Sequence, residues 1–288
     1  MAPARTERPR ARRPRTAARS RRRQASDLLA RVLIAIPAIV FAIVIVEQGG
    51  LVFALGLVLL AILALGELYT LMVRVRPVNL AGFLTVAGMV FAATYGQPLQ
   101  VLMVLAAAFP LVFCLSFLRP RRPNVSWAMA ATFFGILWIG LPLVHAVLLR
   151  DLRHGDGLVI DVLIGTFAGD TAAYFGGRIW GRRQLAPRIS PGKTVEGLVA
   201  GIAAGTLAFW LAGLYQDWLS GAHALVIGAL VALAAPAGDL FESLIKRDLE
   251  VKDTGRLFGP HGGVLDRIDA VLFTLVVGYY AVRALGYG

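Results

Sequence analysis

Nine apolar stretches govern what this chain can fold into. They run over residues 29–46, 51–73, 78–96, 98–118, 125–149, 157–177, 195–214, 222–241 and 264–285. A helix needs about 20 apolar residues to cross a bilayer, and each stretch is close to that length. In lipid the backbone must satisfy its own hydrogen bonds, so runs of this kind specify helices. The predicted fold is therefore all-α, a polytopic integral membrane protein with about nine transmembrane helices. Composition points the same way: 58% of the residues are hydrophobic and 16% charged. Soluble domains carry about 25% charged residues, which excludes a pair of them here. Only Gly96, Gln97 and Pro98 separate the third stretch from the fourth. No inserted soluble domain and no internal repeat is visible.

The net charge of +12 is unevenly spread. Residues 1–27 hold ten Arg against Glu7 and Asp27, with several prolines and no apolar periodicity. Such a segment is expected to be a disordered cytoplasmic tail. Beside a membrane helix, a polybasic run sets topology and touches anionic lipid, a better account than nucleic-acid binding. The apolar stretch that follows is too long for a signal-peptide core, and its retention is expected. With the N-terminus inside and nine crossings, 26 Lys and Arg fall on the cytoplasmic side; only Arg150, Arg153 and Arg283 fall outside. That asymmetry places two polar loops, 178–194 and 242–263, on the cytoplasmic face. The chain then divides into the tail (1–27), N-terminal transmembrane helices (28–155) and a C-terminal catalytic region (156–288). The single cysteine, Cys114, lies in an apolar run, so no disulfide framework or cysteine metal site is present.

Residues 243–269, SLIKRDLEVKDTGRLFGPHGGVLDRID, carry the densest charge outside the tail: nine of these 27 are Lys, Arg or Asp. Charge this close to membrane helices marks a functional site. Three acids are expected to converge at the cytoplasmic boundary: Asp170 in AGDTAAYFGGR, Asp239 in PAGDLFES and Asp266 in HGGVLDRID. Converging carboxylates suit a hard divalent cation such as Mg²⁺, which completes its shell with substrate phosphate. The alternative for each is an ion pair with a neighbouring Lys or Arg. Glu47 and Asp161 are expected to be interfacial. Glu67 is either a polar packing contact or a functional acid. Lys193, Lys246, Arg247, Lys252 and Arg267 flank the acids, a pattern for binding a phosphate compound. Gly262 and Gly263 would let backbone amides approach phosphate, and His261 would contact it. The PGKT at 191–194 is not a P-loop, because the position that needs the first glycine is Pro187 and no strand precedes it.

Ser243-x-Ile245-Lys246-Arg247, Lys252-Asp253, Gly255 and His261-Gly262-Gly263-x-x-Asp266-Arg267-x-Asp269 together resemble the signature of the phosphatidate cytidylyltransferase family. The blocks GDTAAYFGGRIWGRRQLAPRISPGKTVEG and GDLFES are similar to the same family. One departure is Gly192, where the family usually has Lys. The resemblance implies CMP transfer from CTP to phosphatidate, giving CDP-diacylglycerol and pyrophosphate. It implies metal ligation by Asp239 and Asp266, with Asp170 a further candidate. Asp239, Asp266, Lys246 and Arg267 would be catalytic. Ser190, Lys193, Thr194, Ser243, Arg247, Lys252, Asp253, His261, Gly262 and Gly263 would bind substrate. Mg²⁺, with a second cation such as K⁺, a homodimer and a bacterial inner-membrane location are implied as well. Two other functions stay open on sequence: CMP transfer to another lipid phosphate, such as an isoprenoid-ether lipid, and an ion-coupled transporter. A transporter would favour acids near the bilayer midplane in matching halves, whereas these acids gather at one face of the C-terminal half.

Overall fold

A computed structural model of the protein describes residues 36–118, 124–255, 257 and 262–287. The Arg-rich tail and His261 lie outside them. The chain divides after Ala42 into two units, and apart from the start of the first helix every residue discussed below belongs to the second.

The helices fall where the apolar stretches run. Helix α1 spans Ile36–Gln48. It is followed by α2 (Gly50–Leu71), α3 (Asn79–Tyr95) and α4 (Pro98–Phe117). Then come α5 (Val125–Arg150) and α6 (Gly155–Trp180). Helices α7 (Val195–Gly213), α8 (Gly221–Asp248) and α9 (Leu265–Ala284) complete the chain. Six of them, α2 and α4 to α8, are long and apolar enough to cross a membrane. Helices α1 and α3 are shorter apolar helices. The protein is thus an all-helical, multi-pass membrane protein in its main architecture.

Helix α2 is apolar all round, as a membrane span should be. Ala54, Leu57, Ala61, Leu65 and Leu68 face the core, while Leu51, Leu55 and Leu59 are exposed on the other side, where lipid would lie. Helices α3 and α4 are separate because Gln97 starts a new helix. Its N–H donates to the Gln100 side chain at 2.6 Å, and Pro98 occupies the first helical position. One π turn, Ile136–Gly140, interrupts α5.

Helices α6 and α7 meet through small residues spaced four apart: Gly165, Gly169, Ala173 and Gly177 against Gly197, Gly201 and Gly205. A Cβ on Gly201 would lie 2.9 Å from the Gly169 carbonyl oxygen, so the two backbones touch. Small residues are what allow membrane helices such close approach. Helix α8 packs on both α7 and α9.

Two details differ from the sequence-based expectation. The segment 178–194 contains a two-stranded antiparallel hairpin, β1 (Gln184–Ala186) and β2 (Ser190–Thr194). A strand therefore does precede part of PGKT, but Pro191, Gly192 and Lys193 are themselves extended within β2, which is not the looped form of a P-loop. Helix α8 also runs to Asp248, so Ser243, Lys246 and Arg247 sit on its last two turns rather than in a loop. Six charged or polar residues in its final ten did not end the helix: Asp239, Glu242, Ser243 and Lys246 share a face, with Lys246 paired to Glu242 and Ser243 bonded to Asp239, and Arg247 bonds to the hairpin.

Candidate active site

Helix α8 presents Asp239, Glu242, Ser243 and Lys246 at positions i, i+3, i+4 and i+7, which places them along one stripe. Helix α9 brings Asp269 against that stripe. Carboxylate oxygens of Asp239, Glu242 and Asp269 lie within 4.8 Å of one another. The approach depends on Gly238, whose Cα faces the backbone of Asp269 and Ala270. Both Glu242 and Asp269 are buried.

Two lysines flank this group. Lys193 Nζ, from β2, is 2.6 Å from Asp239 Oδ2. Lys246 Nζ bridges Glu242 Oε2 at 2.5 Å and Asp266 Oδ1 at 2.9 Å. Ser243 Oγ donates to Asp239 Oδ1 at 3.4 Å. Arg247 Nε donates to the Ile189 carbonyl at 3.0 Å and so holds the turn of the hairpin against the end of α8. That contact is what delivers Lys193 to Asp239.

Asp266 has a different environment. Its Oδ1 is taken by Lys246, and its Oδ2 accepts from the Gly263 N–H at 2.7 Å and the Thr254 N–H at 3.0 Å. Asp266 thus holds Lys246 together with the backbone at Thr254 and at Gly263. The Gly263 amide, expected to face phosphate, is committed to Asp266 instead. Arg267 is exposed at the start of α9, and Lys252 and Asp253 are exposed beside Thr254.

A cavity of about 610 Å³ opens next to the acids, between α6, the hairpin, α7 and α8. Its polar end carries Asp170, Arg178, Lys193, Thr194 and Asp239, and its walls include Ile202, Ala232, Ala235 and Pro236. Thr194 also caps α7, its Oγ1 accepting from the Gly197 N–H at 3.1 Å. Ser190 is half-buried at the start of β2.

The donor set fits a hard divalent cation. All three groups offer carboxylate oxygens, and Glu242 Oε1 is enclosed with no hydrogen-bond partner. Three carboxylates this close repel one another, and the two lysines compensate only part of that charge. The structure brings together Asp170, Lys193, Asp239, Ser243 and Lys246 of the predicted set, with Arg247 and Asp266 in supporting contacts. Sequence reasoning assigned no role to Glu242, Asp269 or Arg178. Spacing could have found the first two: Glu242 lies three residues after Asp239 and four before Lys246, and Asp269 lies three after Asp266. Of the two acids expected at the interface, Glu47 is exposed, whereas Asp161 is fully buried and bonded to Gln216.

Residues 29–285 match the Cytidylyltransferase family. The chain belongs to that family. A phosphatidate cytidylyltransferase of Staphylococcus saprophyticus is 31% identical over 257 residues, covering 85% of this chain and 95% of its own length. Another from Pseudomonas aeruginosa is 41% identical over 153 residues, 52% of this chain and 55% of its own. An uncharacterized protein of Escherichia coli, YnbB, is 38% identical over 164 residues, 55% of each chain. The match thus spans nearly all of the staphylococcal cytidylyltransferase but about half of the other two.

Proposed function

We propose that this cytidylyltransferase-family chain is a CTP:phosphatidate cytidylyltransferase that makes CDP-diacylglycerol for phospholipid synthesis. Family membership and the named relatives support the enzyme class. The observation that carries the substrate assignment is the cavity, which joins an apolar wall to a Lys193–Asp239 end beside the carboxylate group. A lipid phosphate needs that combination: room for an apolar body and cations for its headgroup.

In the reaction a phosphatidate phosphate oxygen forms a bond to the α-phosphorus of CTP. The bond from that phosphorus to the bridging oxygen breaks, and pyrophosphate leaves. The attacking oxygen is already anionic near neutral pH, so no general base is needed. The difficulty is bringing two anions together. Lys193 and Arg178 line the cavity where the lipid phosphate would sit, and Lys246 and Arg267 would offset charge growing on pyrophosphate. Asp239, Glu242 and Asp269 would hold Mg²⁺, and Asp170, which lines the cavity with Asp239, would serve a second cation such as K⁺. When bound, the metal neutralises phosphate oxygens and draws the two substrates into line. Asp266 acts through Lys246 and the Thr254 and Gly263 amides. Rigid placement on two packed helices supplies the orientation that remains.

The same proposal includes an inner-membrane location, nine crossings with the N-terminus and the site on the cytoplasmic face, and a homodimer, as the resemblance implies. The test is label transfer by purified protein in detergent with phosphatidate and Mg²⁺. Label from α-³²P-CTP, but not from γ-³²P-CTP, should enter the lipid phase and be lost with EDTA. Asp269→Asn should abolish it in folded protein. Transfer to an ether-lipid phosphate alone would replace the lipid substrate. No transfer to either acceptor from folded protein would refute the enzyme assignment.

A further inference from the structure

Glu67 is the only charged residue in the 22 of α2, a helix long and apolar enough to cross a membrane. An isolated acid in such a helix is costly and needs partners. Its partners lie almost 200 residues away. Glu67 Oε1 accepts from the Val264 N–H, and Oε2 accepts from the Leu265 N–H, both at 2.9 Å. Oε2 also receives the Thr254 hydroxyl at 3.4 Å.

Those two amides belong to the first turn of α9, where N–H groups have no partner within the helix. Helix α9 has no side-chain cap of its own, since its N-cap residue is Val264. Glu67 takes the place of the cap from another helix, and its charge complements the positive end of α9. The fit leaves no spare room. A Cβ at Gly255 or at Gly263 would collide with the Glu67 carboxylate, so both positions must be glycine for the acid to reach the backbone. Two turns of chemistry follow immediately: Asp266 and Asp269 sit one and four residues past Leu265. Thr254, held by Glu67 through its hydroxyl, in turn donates its N–H to Asp266.

We infer that Glu67 is a positioning residue for catalysis: it fixes the start of α9 and the Thr254–Gly255 segment, and through them Asp266, Lys246 and Asp269. Gln cannot replace it. An amide has one acceptor oxygen, and its NH₂ would face a backbone N–H. A residue that merely fills space would tolerate Gln, which has the same shape.

Only the kinetic arm of the test rests on the cytidylyltransferase proposal. Glu67→Gln is made in the full chain and compared with wild type in detergent. Tryptic cleavage after Lys252, identified by mass spectrometry, reports release of the segment that Glu67 holds. It should become faster by about tenfold or more, the effect of losing a charged hydrogen-bond acceptor on a local opening. The kcat for CMP transfer should fall by about tenfold or more, with KM for phosphatidate within about twofold, because the cavity lies on α6 to α8. Gly255→Ala pushes the carboxylate aside without altering α2 and should give the same pair of changes, which covers a Gln variant that fails to fold. Wild-type cleavage or wild-type kcat in either folded variant overturns the inference. Faster cleavage in variants of a wild type that transfers no CMP would instead sink the proposed activity and leave the clamp standing.

Discussion

Gly238→Ala is the sharpest probe of how the acids are assembled. A Cβ at this position would lie 2.5 Å from the Asp269 carbonyl oxygen, 3.0 Å from the Ala270 Cα and 3.2 Å from the Asp269 carbonyl carbon. All three neighbours are backbone, so no side chain can swing away. A relaxed carbon-to-oxygen contact is about 3.3 Å or more, so α8 and α9 must part by about 0.8 Å. The cost to folding should be modest, about 1–3 kcal/mol, as for other overpacked contacts. The cost to catalysis should be larger. A misplacement approaching 1 Å can lower a rate about a hundredfold, and this one separates Asp239 and Glu242 from Asp269 directly. The assay is transfer of α-³²P-CTP label into lipid, run as a Mg²⁺ titration beside a thermal unfolding curve. The expected result is a folded variant with kcat lowered by about tenfold to a hundredfold and half-saturation at higher Mg²⁺. Wild-type kcat and Mg²⁺ dependence would show that the crossing at Gly238 does not set the site, and the metal assignment to Asp239, Glu242 and Asp269 would fall with it.

Two other substitutions test separate parts of the structure. Lys246→Met leaves the carboxylates of Glu242 and Asp266 without their shared cation; breaking a buried pair of this kind costs about 3 kcal/mol or more, and transfer activity should be lost. A thermal midpoint equal to wild type would argue that the bridge is dispensable. Asp161→Asn should act in the opposite direction. Asp161 Oδ1 and Gln216 Oε1 are both enclosed without partners, and an Asn amide could supply the missing donor, adding about 1 kcal/mol of stability. A lower midpoint in that variant would mean that the acid itself is required there.

Most of the architecture was legible from one dimension. Apolar runs near 20 residues specify helices because lipid offers the backbone no other partner, and each run corresponds to a helix among the described residues. Helix ends were less legible. The last turns of α8 read as a loop because Lys246, Arg247 and Asp248 are charged, yet Lys246 pairs with Glu242 one turn back and Arg247 bonds to the hairpin. The hairpin at 184–194 was missed because its strands are short and held partly by Arg247 on another helix.

Sequence by itself determined that the chain lies in a membrane, that its densest charge outside the N-terminal tail follows Ser243, and that Lys193, Asp239, Lys246 and Asp266 fall in motifs resembling those of a cytidylyltransferase family. Each of those follows from composition, spacing along a single element or a recognisable motif. Tertiary structure alone decided which acids meet. Asp269 joins Asp239 and Glu242 because a glycine lets two helices cross at van der Waals distance. Glu67 reaches Val264 and Leu265 because α2 happens to end beside the start of α9. Both are contacts between residues far apart in the chain, and no local periodicity encodes a distance of that kind.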